Sequence, residues 1–567
     1  YAPSATNTGS IGANITDPAY FTVKDSAMIQ VLTANEITNR GLTLAGTGGG
    51  VINTTSLLYW DGIIQGTKLT KSGASTLSIG NNNSNLTETI LKSGTINLYK
   101  TTAVAYGIGK KLVFNGGTLQ TLNNSGAYLT SSHNIEVPES FTGTFIAAPR
   151  CEYNGILTGG GTLNWSCDFI RAYINGNWSN FSGKLNINPN GANSDYENHF
   201  IVNNANGYPN ASVNLASGVT MCYKNGTSDN GRTKIKIGLL TGVAGAKFYN
   251  ADLEVGNNNL PGIYSGEISG ATAITKVGTS TWTINGTNIY TGSTTVSDGT
   301  LNVFSDITGT GAFIINQNGT ANVKNSVAGA IVVNQYGKLL LLGTANSTVT
   351  ARGYLIGTGI VKGNVSLLDS SIVQPASTSF GTLTFEKDAT MNNGAKLDLQ
   401  VGGGTTLCDK LTVGGTLNCN GTLNVSMSSG TFKLDDSYQI INAATINGTF
   451  SKIILPVLEN NWVWDVSELY TTGTIKVKNG TGLQYNSLKL GVDRNPSNGI
   501  FRIFTENESD IFAQVTDLQG RIIYSSNIQT QNSEFKINLT NYPDGAYLLN
   551  VKSRKGSSST LKLIKKH

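Results

Sequence analysis

One tripeptide constrains this chain more than anything else in it. Gly-Thr-Leu or Gly-Thr-Ile returns from end to end, at Gly94 to Ile96, Gly117 to Leu119, Gly161 to Leu163, Gly299 to Leu301, Gly381 to Leu383, Gly415 to Leu417, Gly421 to Leu423 and Gly473 to Ile475. Each copy opens an alternating run such as GTLNV or GTIKV. Glycine turns a corner, threonine faces solvent, and the branched apolar residue points inward with a period of two. An isolated strand pair of this composition is marginal. Stacked coils instead bury a continuous apolar column and pair every backbone group with the coil above and below. At about 20–25 residues per coil, residues 1–478 predict roughly 20 coils in a rod on the order of 100 Å long.

Composition agrees with an all-β chain without helices of consequence. Gly 68 against Pro 11, with only 13% charged residues in 567, describes short strands separated by tight polar turns. No run of about 18 apolar residues occurs, so no spanning helix is predicted. Residues 486–567 hold 11 Lys or Arg against 7 Asp or Glu, which leaves 28 against 27 for residues 1–485. The long repeat region is therefore neutral, and nucleic acid is not an expected partner. The start at Tyr1, without a charged and apolar leader, fits a mature chain whose signal peptide has been removed. Five cysteines (Cys151, Cys167, Cys222, Cys408, Cys419) form no CxxC pair and have no His at ligand spacing, so no structural metal is expected. Cys151 and Cys167 stand about one coil apart, where they either stack as a disulfide or serve as small buried hydrophobes.

Two longer segments align without a gap, Leu69 to Leu98 and Ile274 to Val303, with about a third of their positions identical. They resemble the passenger-associated repeat of autotransporters, which implies a right-handed parallel β-helix. The second copy keeps Lys276, Gly278, Asn288, Tyr290, Gly292, Thr294, Gly299 and Thr300. The first has Asn85 and Thr87 where the Tyr and the following Gly belong, so its turn must differ. Asn81 to Asn83 and Asn257 to Asn259 suit left-handed corners or stacked amide ladders. Residues 446–478 resemble the terminal coils of bacterial β-solenoid passengers, with Trp462 or Trp464 expected to cover the open end of the column.

After an uncharged linker at 479–485, residues 486–567 change texture: charge rises and short strands alternate with polar turns, which predicts a small antiparallel, immunoglobulin-like β-sandwich. NPSNGIF (Asn495 to Phe501), VTDLQGRIIY (Val515 to Tyr524), INLTNYPDGAYLLNV (Ile537 to Val551) and LKLIKK (Leu561 to Lys566) resemble, in order and spacing, the type A C-terminal sorting domain of the type IX secretion system of Bacteroidota. The residues that carry this resemblance are Asn495, Pro496, Asn498, Gly499, Asp517, Gly520, Arg521, Pro543, Gly545, Tyr547, Lys562 and Lys565. The resemblance implies recognition by the translocon and its outer-membrane shuttle protein. It also implies removal of the domain by a sortase that joins the passenger to a surface glycolipid, and hence a secreted or cell-surface location.

Catalytic patterns are sparse. The body contains only His133 and His199, with no GxSxG nearby, so a nucleophile–His device has no companion motif. The densest mixture of charge and aromatic rings runs from Arg150 to Tyr223, where Arg150, Asp168, Arg171, Trp178, Tyr196 and His199 are candidate glycan contacts. The other reading of that region is less regular coils with a packed lateral loop. Asp435 and Asp436 read as a solvated turn, Gly48 to Gly50 and Gly402 to Gly404 as turns, and Asp25-Ser26-Ala27 resembles an O-glycosylation acceptor at Ser26. No cofactor is expected. The function favoured is a non-enzymatic adhesin or structural surface protein. The alternatives are a polysaccharide lyase or glycoside hydrolase with a site on the lateral face of the helix, which would group carboxylates with a basic residue, and a generic export cargo bound to its translocon and shuttle.

Overall fold

A computed structural model describes residues 16–567 apart from 33–35, 102–103, 123–128, 169–171, 191–197, 205, 224–233, 377, 481–487, 506–509, 531–533 and 554–557. The chain divides into two compact units, residues 1–458 with 464–477, and residues 459–463 with 478–567.

The first unit is a parallel β-helix. Beginning at Glu36–Thr38, each strand of one ladder pairs in parallel with the equivalent strand of the next coil, through twenty successive strands to Lys452–Ile454. One coil shows how the sequence does this. Lys338–Leu341, Thr344–Ala345 and Val349–Ala351 form three short sides, and the chain returns at Tyr354, which pairs with Lys338. Leu339, Leu341, Ala345, Val349 and Ala351 point inward with no exposed surface, each Leu contributing roughly 1.5–3 kcal/mol by burial. The return takes 16 residues here, whereas Thr422 meets its partner Lys452 only after 30.

The Gly-Thr corner works as expected. In all eight copies the apolar residue after Thr is fully buried, from Ile96 through Leu301 to Ile475. Gly94 and Gly299 take φ of +69° and +63°, and a Cβ at either would lie 2.4 Å from the carbonyl oxygen of Gly73 or Gly278 in the coil below. The corner therefore excludes every other residue on two counts. Of the Asn clusters, Asn259 takes the left-handed conformation, but Asn83 is buried, donating to Gly107 O at 2.6 Å and accepting from Ile64 N at 2.8 Å. An amide ladder does form elsewhere, through Asn154, Asn175 and Asn203.

Towards the end of this unit the pattern turns antiparallel, with Ser437–Gln439 pairing against Thr474, Ile475 and Lys476. Trp464 packs edge-on against Phe432 at 5.1 Å and donates to Pro456 O. Asp436 is not a solvated acid: it accepts from Gly404 N, Lys433 N and the Tyr438 hydroxyl, and so fixes the Gly402 to Gly404 turn.

The second unit is an antiparallel β-sandwich. One sheet orders Leu490–Asp493, Ile500–Thr505 and Glu534–Asn538; the other orders Ile522–Gln529, Asp510–Asp517, Gly545–Ser553 and Ser558–Lys565. Phe501, Ile503, Val515, Ile537, Leu549 and Leu563 form its core.

Candidate functional site

In the sandwich, motifs far apart in sequence converge on the last strand. Asn495 acts as a piece of backbone: its Oδ1 accepts from Ile564 N at 2.7 Å and its Nδ2 donates to Lys562 O at 2.6 Å. Ser497 continues the pairing, its N–H donating to Ile564 O while its carbonyl accepts from Lys566 N. Gly499, at φ +113°, permits the crossing, because a Cβ there would lie 2.9 Å from Thr540 Cα and 3.0 Å from Lys565 Cε. Lys565 is 3% exposed and donates to the carbonyls of Thr540 and Tyr542, with Asp544 3.6 Å away. The N–H of His567, followed by Lys565, holds the Asp544 carboxyl below its usual range.

The remaining motif residues organise turns. Asp517 accepts from the N–H groups of Gln519 and Arg521 and from Arg521 Nε at 2.7 Å, and Gly520 at φ +80° completes the hairpin. Burial raises the Asp517 pKa, but those Arg521 contacts outweigh it and hold the carboxyl low. Tyr547, at 5% exposure, donates to Pro543 O. The motif thus splits. Asn495, Gly499, Asp517, Tyr547 and Lys565 hold the fold, while Pro496, Asn498, Gly520, Arg521, Pro543, Gly545 and Lys562 remain on the surface.

In the β-helix, the two aligned repeats share a feature that the alignment flagged without explaining. Lys276 is 1% exposed, and its Nζ donates to the carbonyls of Val277, Gly278 and Asp298 at 2.8, 2.8 and 3.2 Å. Lys71 repeats the cage with Ser72, Gly73 and Ser93 at 2.8, 3.0 and 3.1 Å. Burial pulls both ammoniums down to about 8. Three donors on a flexible stem meet three corner carbonyls, of which Gly73 O also accepts from the Ser93 hydroxyl of the next coil. Tyr290 is also interior, its hydroxyl 2.6 Å from Thr294 Oγ1, whereas the aligned Asn85 of the first copy is exposed.

The candidate glycan region is not a single surface. Trp178, read as a contact, belongs to the core: it is 1% exposed, donates to Gly155 O at 3.0 Å and packs against Trp165 at 5.4 Å. Phe145, Tyr153, Trp165, Phe200 and Tyr208 continue the same interior stack. His133 joins it, fully buried, with a pKa driven down to about 3 by desolvation. Sequence reasoning misplaced Trp178 because a wide coil hides a Trp as readily as a groove displays one. Arg150 sits at a left-handed corner, φ +57°, partly exposed. Arg171 and Tyr196 lie outside the described residues, as do the side chains of Asp168 and His199, whose strands belong to different ladders. Cys151 is a free thiol; it pairs with Leu129 and Ala172, whereas Cys167 lies on the ladder of Ala147 and Pro189, so the two do not stack. Ser26 is exposed in the turn after Thr22–Lys24. Among the described residues no three His, Cys, Asp or Glu converge as a metal site.

Over three consecutive coils the outward positions of one ladder are uncharged, before Lys338 takes the next place in register. Thr281, Thr300 and Thr320 stand in register, and two residues along Asn322 donates to Asn302, which donates to Thr283. Some charges on the outer face pair between coils, as Lys68 with Glu88 at 3.7 Å and Lys111 with Glu88 at 3.6 Å.

Fold and site together define a protein with a parallel β-helix body and a β-sandwich tail built from an address motif. Residues 495–566 match the family described as the secretion system C-terminal sorting domain, and residues 274–303 match the passenger-associated-transport-repeat. The chain therefore carries a type IX secretion sorting domain behind a β-helix passenger, and is a secreted or cell-surface protein. No curated protein matches it. A solved structure described as a DUF3244 family protein with an immunoglobulin-like β-sandwich fold, from Bacteroides vulgatus ATCC 8482, aligns with 14% of this chain and 96% of its own at 18% identity, with a TM-score of 0.12.

Proposed function

We propose that this exported chain is a non-enzymatic adhesin or structural surface protein, delivered by the translocon and an outer-membrane shuttle. In this reading the sorting domain begins after a linker at 479–485, and a sortase exchanges it for a surface glycolipid. The observation that carries the passenger's role is the three-coil, in-register row of uncharged Thr and Asn on its outer face. Hydroxyl and amide groups at a repeat of about 4.8 Å suit many weak hydrogen bonds to a neutral glycan rather than one catalytic centre. Residues 446–478 serve as the closing cap, a reading supported by the packing of Trp464 on Phe432. Ser26 is an accessible glycosylation acceptor, and Arg150, Asp168, Arg171, Tyr196 and His199 stay candidates for glycan contact.

Two experiments test this. Deleting residues 486–567 should strand the passenger in the periplasm. The purified chain should bind neutral glycans on an array without cleaving acidic or neutral polysaccharides; clear depolymerisation would point instead to a lyase or hydrolase.

A further inference from the structure

Two residues along from Thr281, Thr300 and Thr320, the same ladder carries a second outward row, and this one does not stop at the next coil. Traced by register from Thr76 to Gln374, it crosses fifteen consecutive strands without meeting a charged residue, and only Ile263, Leu340 and Ile356 in it lack a hydroxyl or an amide. At about 4.8 Å per coil the row spans roughly 65–70 Å. It ends where Gln374 Nε2 donates to Asp398 at 3.2 Å.

Neutrality belongs to this face and not to the coils that build it. Another ladder of coils in the same stretch carries Lys68, Glu88, Lys111 and Glu136, paired in succession. Beside the row, Lys184 and Lys338 each stand two residues away at a single coil. Within it the side chains hold one another: Asn186 donates to Asn164 at 2.9 Å, Thr241 to Asn214 at 3.0 Å, and Asn322 to Asn302 at 2.8 Å. Such a bond fixes the rotamer and leaves each amide a second N–H and a second lone pair. Thr283 is covered at 8% exposure, whereas the other places are partly open and Ile263 is 54% exposed.

A charged polymer would find no counter-charge along this line, and a lasting protein interface would want a more apolar centre than alternating hydroxyls and amides provide. What fits is a chain that is itself neutral, straight and rich in hydroxyls, with carbon faces to lie on Ile263, Leu340 and Ile356. We infer that the row from Thr76 to Gln374 binds a linear, uncharged polysaccharide laid along the coil axis, each coil adding one weak contact. This rests on the adhesin reading above and deepens it, by making affinity depend on polymer length and not on one pocket.

The test offers the full chain a neutral β-1,4-glucan, a β-1,3-glucan, a xylan and a mannan, each as the long polymer and as its tetrasaccharide. Thr118→Glu and Leu340→Glu lie ten coils, roughly 48 Å, apart on the row. Either would force a carboxylate to lose water beneath the ligand. Thr350→Glu puts the same charge on a different ladder. At unchanged melting temperature, each row variant should weaken polymer binding about fivefold and the pair by about the product, with Thr350→Glu inert. Where a glutamate lowers the melting temperature, lysine at that position replaces it. The tetrasaccharide should bind about tenfold or more weakly than the polymer. Equal affinity for the two lengths, loss at only one row position, equal loss with Thr350→Glu, or row variants that dissolve a dimer of this chain in place of releasing glycan would each overturn the inference. Polymer binding that neither row variant alters removes the row and leaves the adhesin reading standing, whereas binding to none of the four polymers removes both.

Discussion

The two units bury lysines in the same way and are held together in opposite ways. Lys71 and Lys276 in the column, and Lys565 in the sandwich, each direct an ammonium at backbone carbonyls inside a turn. Around that shared device the contacts diverge. Column strands pair with residues 16 to 30 positions away, so each coil depends chiefly on its neighbours. In the sandwich, Asn495 reaches Ile564 across 69 residues, so the domain closes only when both ends are in place. Stability is additive along one unit and all-or-none in the other.

The sharpest way to break that contrast is Trp165→Ala. Removing a fully buried indole at the centre of the aromatic stack should cost about 3–5 kcal/mol. Hydrogen exchange should accelerate around residues 130–210 and stay slow across 281–371. Uniform acceleration along the column would contradict the additive description.

Acid provides a second lever. His133 has a folded pKa of about 3 against an ordinary value near 6.5, so the unfolded chain binds the extra proton between those values and stability falls as pH drops through that window. Roughly 3–5 kcal/mol is at stake. The sandwich should respond later. Asp517 and Asp544 have lowered folded pKa values, so their contribution is present above about pH 4 and disappears only below it. Circular dichroism melts from pH 7 to 3 should show the column softening first, and His133→Phe should remove most of that early loss.

Lys276→Met should cost about 2–3 kcal/mol by leaving three corner carbonyls without donors. Its effect should be confined to the coils around 274–303, whereas Lys276→Arg should recover part of it. The smallest change expected is Asn495→Ala, about 1–2 kcal/mol, because water can replace an exposed side chain's two bonds. Yet every protected amide of 488–567 should exchange faster together, and a purely local response would remove the distinction between the units.

The coil corners and the inward column were legible in the sequence because Gly-Thr-Leu encodes a turn and a period of two at once. The sorting domain was legible too, since part of its motif, Asp517, Gly520 and Tyr547 among it, fixes turns. What resisted reading were quantities set by coil length. A return of 16 residues in one place and 30 in another defeats any pairing by spacing, as Cys151 and Cys167 show. Inside and outside are likewise indistinguishable for an aromatic residue in the wide coils, which is why Trp178 looked like a ligand contact. Asp436 looked solvated because its three donors come from residues up to 32 positions away.

The strict alternation along Thr300, Leu301, Asn302 and Val303 keeps two vocabularies apart on one strand. Letters on the inner side write the scaffold; those on the outer side write whatever is touched. Because each returning strand asks only for the same corner beneath it, whole coils become interchangeable cassettes. A lineage can thus redraft its outer text, or lengthen it by duplication, while the address at the far end goes on being read unaltered.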